Sequence, residues 1–209
     1  MSVKKVVARS ILKVMPWKAK VEPWPEKSII VGAPHTSNFD AVAMVLVMWS
    51  HDRDFNFLVK DNVMKNPILA RIVRALGGIA VNRRQSTNLI SALSNQIEEK
   101  ESLSLCITPK GTRSPKEYWK SGFYRIAYEH NLPISLGFLD SQTRTFGIGP
   151  TFYPTWDIKK DMDTIRAFYR DMKGVNPENT SVPRLRAEDD PEAAAYLLRP
   201  VDGSSNSTA

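Results

Sequence analysis

SIIVGAPHTSNFDAVAMVLVMWS, residues 28–50, passes from a short apolar run through a cluster of small polar residues into a longer apolar run. Ser28–Val31 is brief, and after Ser28 its residues are β-branched and apolar, as in the buried strands of parallel sheets. Ala41–Ser50 has the length and residue types of a helix. The same alternation continues downstream. Strands are expected at Phe55–Val59, Ile79–Asn82, Leu103–Thr108, Pro133–Phe138 and Thr145–Ile148. Between them lie helical patterns at Pro67–Leu76 behind an Asn66 cap, at Thr87–Lys100 behind Ser86 and at Gly122–Glu129. A further helix is expected at about Asp161–Lys173, ending at Gly174. Strands alternating with helices predict an α/β fold with a mainly parallel sheet and helices on both faces.

The chain has 209 residues, 42% of them hydrophobic and 24% charged, which suits one domain with a real core. Its longest apolar run, Ala41–Trp49, is about half of the ~18 residues a membrane span needs. Met1–Ser10 carries lysines without the apolar stretch and cleavage site of a secretory signal, so the cytoplasm is the expected compartment. One cysteine, Cys106, can make neither an intrachain disulfide nor a zinc site, and its apolar neighbours suggest a buried, inert thiol. The formal charge of +7 favours anionic partners: phospholipid headgroups, nucleic acid or phosphorylated substrates.

Much of that charge lies at the start of the chain. Lys4, Lys5, Arg9, Lys13, Lys18 and Lys20 occur without an acid, while Val3, Val6, Val7, Ile11, Val14 and Met15 recur at helical spacing. This predicts a short basic amphipathic helix ending before Pro16. Its stripe suits either docking on the domain or contact with a membrane, and Trp17 and Trp24 are of the type that settles at interfaces. Residues 1–25 are read as an amphipathic segment, 26–175 as the domain and 176–209 as an extension, polar and broken by proline. The extension holds one short helical pattern at Glu192–Leu198 and a disordered tail from Asp202.

Within the opening stretch, His35 precedes Asp40 by five positions, with Thr36, Ser37 and Asn38 between. On a continuous helix, residues five apart point about 140° away from one another, so the two meet only if the intervening residues form a turn. Pro34 and the Thr-Ser-Asn run suit one. Open α/β sheets bind ligands where a strand gives way to the next helix, and there a histidine can act as a base whose tautomer an aspartate selects. The same pair also suits a helix-capping aspartate beside a hydrogen-bonded histidine. A second loop, LCITPKGTRSPKEYWKSG at 105–122, carries Lys110, Gly111, Thr112, Arg113 and Ser114 directly after a strand. Glycine admits close backbone approach, hydroxyls donate, and arginine grips two phosphate oxygens, so the loop reads as an anion cradle or as a plain solvated basic loop. Arg83 and Arg84 follow another strand in LGGIAVNRRQS, 76–86.

Taken in order, these segments resemble the glycerolipid acyltransferases typified by bacterial lysophosphatidic acid acyltransferases, over roughly residues 28–140. The family's His-x-x-x-x-Asp block, which supplies the catalytic base and its carboxylate, is matched by His35 and Asp40. GGIAVNR resembles its second block and implies an acceptor-binding role for Arg83. Pro109, Gly111, Thr112 and Arg113 match its Phe-Pro-Glu-Gly-Thr-Arg block, which holds the acceptor phosphate, and Pro133 matches part of the fourth. Thr108 and Lys110 stand where the family has Phe and Glu. Lys110 reverses a charge beside the phosphate site, which implies either an added grip on phosphate, a different acceptor such as an amino-acid lipid or glycolipid, or reduced activity.

The resemblance implies a glycerol-phosphate acyltransferase-like fold and transfer of a fatty acyl group to a lysophospholipid hydroxyl, with 1-acyl-glycerol-3-phosphate the foremost acceptor. Acyl-CoA or acyl carrier protein would be a co-substrate, with no cofactor and no metal. It also implies peripheral contact with the anionic inner face of the membrane. Nucleic acid is not an expected partner, because the aromatics do not interleave with lysine and arginine in a binding motif. A catalytically silent lipid-binding module is the other alternative, against which the retained His35 and Asp40 weigh.

Overall fold

The computed structural model describes residues 2–81, 93, 97 and 99–199. Seven strands form one sheet: β1 (Lys18–Val21), β2 (Lys27–Ala33), β3 (Phe55–Lys60), β4 (Gly78–Val81), β5 (Leu103–Ile107), β6 (Ile134–Asp140) and β7 (Thr145–Phe152). Their order is β1-β7-β6-β2-β5-β3-β4, and every pairing is parallel except the β6–β7 hairpin. The expected α/β class and mainly parallel sheet are therefore present. Crossovers use α2 (Phe39–Ser50) between β2 and β3, α3 (Pro67–Ala75) between β3 and β4, and α4 (Gly122–His130) between β5 and β6. The expected Asn66 cap of α3 accepts from the backbone N–H groups of Ile68 and Leu69 at 3.0 and 3.1 Å. The helix expected at Thr87–Lys100 lies largely outside the described residues, as does the tail from Asp202. Its Leu93 and Ile97 are helical and buried in the core.

Side-chain alternation along β2 and β5 divides the interior into two layers, the period-two signature of a sheet covered on both faces. Ile29, Val31, Leu105 and Ile107 pack with Phe123, Tyr124 and Ala127 of α4 and with Met162, Ile165 and Tyr169 of α5 (Ile158–Tyr169). Ile30 and Cys106 face the other way, against Ala43, Val47 and Met48 of α2. Burial pushes the Cys106 thiol pKa far up, which makes it chemically silent. The Tyr169 hydroxyl lies within hydrogen-bond reach of the carbonyls of Val31 and Gly137, at 2.8 and 2.9 Å, and so ties α5 to β2 and β6.

The N-terminal residues depart from expectation twice. Lys18–Val21, inside the segment read as separate, is a strand that joins the sheet edge beside β7, with Lys18 opposite Thr145. Exposed lysines on an edge strand keep it from pairing with other chains, and they also hide its strand character. The expected helix, α1 (Val3–Val14), is capped by Ser2 and packs on α2. It docks through Ala8, which is fully buried, and through Leu12 and Met15. Val3, Val6, Val7, Ile11 and Val14 of its apolar stripe stay exposed. Beyond α5 the chain runs through short turns at Pro177–Asn179 and Arg186–Glu188 into α6 (Pro191–Leu197), close to the helix expected there.

Candidate active site

β2 and β5 are parallel neighbours, with Val31 opposite Ile107, so the two loops singled out in the sequence leave the sheet side by side at its carboxyl edge. The chain quits β2 through a cis Ala33–Pro34 bond and turns into α2 over Thr36–Asn38. That turn winds around one carboxylate. Oδ2 of Asp40 accepts from the backbone N–H groups of Thr36 at 2.8 Å and Ser37 at 2.9 Å, and meets Nδ1 of His35 at 2.9 Å. Oδ1 accepts from the Ser37 hydroxyl at 2.9 Å. The Ser37 oxygen in turn accepts from the Phe39 N–H at 3.1 Å. Asp40 therefore binds the residues before its helix rather than capping the helix itself.

Burial raises the Asp40 pKa, but the hydrogen bonds from His35 and from the Ser37 backbone and hydroxyl outweigh it, and the net shift is downward. An ionised Asp40 assigns the imidazole proton to Nδ1 and leaves Nε2 as the ring's acceptor. The His35 side chain is 17% exposed.

The second loop begins with a turn in which Gly111, at φ +66°, donates its N–H to the Thr108 carbonyl at 2.9 Å. Thr112 is partly exposed and Arg113 exposed. Lys110 is oriented differently. It is 6% exposed, and its ammonium donates to the backbone carbonyls of Asn179 at 2.6 Å and Arg113 at 3.4 Å. Burial depresses its pKa, and the negative charge of Asp40 offsets part of that. Lys110 and His35 line one small cleft with Gly32, Ala33, Pro34, Trp119 and Ser181. Arg83 lies outside the described residues, two positions beyond the carboxyl end of β4. Among the described residues, no group of three or more His, Cys, Asp or Glu side chains is placed to hold a metal ion.

Sequence reasoning missed the partners that hold these loops from a distance. Asn176 donates from its backbone to the Thr36 hydroxyl at 3.1 Å and from its amide to the Thr36 carbonyl at 2.8 Å. The Ser181 hydroxyl accepts from the Lys116 N–H at 3.0 Å, and the Arg184 carbonyl from the Trp119 N–H at 2.7 Å. The only local signal was an asparagine and a serine in a proline-broken run, which any loop contains.

Residues 18–135 match the family model described as Acyltransferase. A probable 1-acyl-sn-glycerol-3-phosphate acyltransferase of Mycoplasma pneumoniae is 24% identical over 133 residues, which are 57% of this chain and 50% of that protein. The chain thus spans about half the length of that curated relative. Among solved structures, the 1-acyl-sn-glycerophosphate acyltransferase PlsC of Thermotoga maritima has a similar fold, with a TM-score of 0.51 and 17% identity over 78% of this chain and 74% of that one. With more than half of its residues in the family match, and with His35 and Asp40 inside that match, the chain belongs to the acyltransferase family.

Proposed function

We propose that the protein moves a fatty acyl group from the thioester of acyl-CoA or acyl carrier protein to a hydroxyl of a lysophospholipid, foremost 1-acyl-glycerol-3-phosphate, in phospholipid biosynthesis. Nε2 of His35 takes the proton of the acceptor hydroxyl as its oxygen attacks the thioester carbonyl. The tetrahedral intermediate collapses with rupture of the C–S bond, and the departing thiolate takes the proton back from the imidazolium. Asp40 holds the tautomer and stabilises the imidazolium while it exists. The observation that carries this reading is the 2.9 Å contact between His35 and an otherwise fully hydrogen-bonded Asp40.

Thr112 and Arg113, with the close backbone approach that Gly111 allows, would receive the acceptor phosphate, and Arg83 is proposed as a further acceptor-binding residue from the family motif. Peripheral docking on the anionic inner leaflet is supported by the exposed apolar residues of α1 interleaved with Lys4, Arg9 and Lys13. Among the described residues, no helix is long and apolar enough to cross a membrane. The deciding assay measures thiol release from acyl-CoA and from acyl carrier protein against a panel of lysolipids. Acceptor-dependent release that disappears in His35→Ala is expected. Release only with a non-phosphorylated lipid would replace the acceptor, and no release with any pair would leave a lipid-binding module.

A further inference from the structure

We propose that Gly174–Leu185, a segment beyond the family-matched residues, is a strap that holds the His35 turn and the Lys110 loop in mutual register, with Asn176 and Lys110 as its positioning residues. This rests on the acyltransferase reading for its catalytic consequence, though not for its structural one. Pairing between β2 and β5 ends at Val31 and Ile107, so the sheet itself does not join the loops that follow. The strap runs across both.

Its start is anchored on the β6–β7 hairpin. The Lys173 N–H donates to Asp140 at 3.1 Å, the Ser141 N–H to the Lys173 carbonyl at 2.8 Å, and the Ser141 hydroxyl to the Gly174 carbonyl at 2.8 Å. At Gly174 the backbone lies directly on Thr36: a Cβ there would stand 2.3 Å from the Thr36 hydroxyl oxygen. Asn176 then binds both the hydroxyl and the carbonyl of Thr36, whose own N–H donates to Asp40. Thr36, 1% exposed, thereby joins the strap to the carboxylate that orients His35. Three residues on, the Asn179 carbonyl takes the Lys110 ammonium, and Ser181 and Arg184 take the N–H groups of Lys116 and Trp119. Leu185, fully buried, closes the strap into the core.

This arrangement accounts for the cation at position 110. A glutamate there would turn a second acceptor toward the Asn179 carbonyl and add a like charge near Asp40, leaving buried acceptors unpaired. A lysine supplies the donor that the strap needs. Its role in transfer is then to hold the loop that carries Thr112 and Arg113 at a fixed separation from His35.

The test compares Lys110→Met, Lys110→Arg and Asn176→Ala in the full chain, with kcat and both KM values measured and amide hydrogen exchange followed over residues 35–40 and 109–113. Asn176→Ala and Lys110→Met are expected to lower kcat by about 10- to 10²-fold, as misplacement of reacting groups does, with both KM values within about twofold. Lys110→Arg, which keeps the donor and the charge, should recover part of the loss. Both loops should exchange faster in Asn176→Ala, although Asn176 touches only the first. A Lys110→Met variant with raised acceptor KM and unchanged kcat, beside a neutral Asn176→Ala, would overturn the strap in favour of a phosphate grip. If the wild-type chain transfers no acyl group, the functional reading fails alone, and unchanged exchange in Asn176→Ala still overturns the strap. If Lys110→Met does not fold, Asn176→Ala carries both measurements.

Discussion

The His35 turn and the Lys110 loop leave neighbouring strand ends, but the charged group in each is satisfied in an opposite way. Among the described residues, every hydrogen bond on the Asp40 carboxylate comes from the five residues before it. The Lys110 ammonium instead finds one of its partners 69 positions away. A site closed by local bonds can be inherited as a short motif, whereas one closed by distant bonds depends on the rest of its own chain. The His35–Asp40 pair itself is therefore inherited as a motif, whereas the placement of its turn through Thr36, like that of the Lys110 loop, depends on the distant strap.

The largest expected effect strikes the local half. His35→Ala should cut turnover by about 10²–10⁴-fold, the usual worth of a general base, with melting temperature little changed. Thiol release from purified variant is the check, and activity within a few-fold of wild type would break the comparison at its first term. Asp40→Asn comes next. An amide keeps one acceptor oxygen but loses the charge that selects the His35 tautomer, so kcat should fall by at least ~10²-fold while KM values hold. Turnover near wild type would reduce the carboxylate to a turn-builder.

The same variant tests the carboxylate's contribution to stability. The Asp40 pKa is lower in the folded protein than its ordinary value of 3.8. The stabilisation is therefore fully present above that value and lost as pH falls through the folded pKa. Denaturant titrations should show wild type more stable than Asp40→Asn near neutrality, with the gap narrowing below pH 3.8. A gap independent of pH would assign the difference to packing instead of charge.

Gly174→Ala probes the strap where it lies on the His35 turn. The added methyl meets Thr36 and forces the strap to shift, which should cost about 1–3 kcal/mol by thermal or urea unfolding. No loss of stability would mean that the strap gives way freely and holds little. Smallest for chemistry is serine at Val3, Val7 and Val14 together, on the exposed stripe of α1. Turnover on detergent-dispersed acceptor should change less than about twofold, while sedimentation with anionic vesicles falls several-fold. Full sedimentation would move membrane contact elsewhere on the surface.

What could be read beforehand follows the same division. β2, β5 and α2 were legible because apolar runs bounded by turn residues report their own burial. The Thr-Ser-Asn turn was legible because its donors sit beside the acceptor they serve. The edge strand Lys18–Val21 was not, since exposed lysines there read like any basic segment. The docking face of α1 was misjudged for a related reason. Valines at helical spacing mark a stripe, but Ala8 is the residue small enough to let α1 approach α2. The inward course of Lys110 was illegible, because nothing near position 110 announces the Asn179 carbonyl.

Cys106 has a practical bearing on all of this. The chain's one cysteine is sealed in the central sheet, its thiol held protonated by burial, so the native surface offers nothing to a maleimide. A cysteine introduced at exposed Ser114 or Glu178 would accept a fluorophore or spin label alone, without first stripping the protein of competing sulfur. Labels at both positions would follow the separation of the Lys110 loop from the strap in solution, from a background that is already clean.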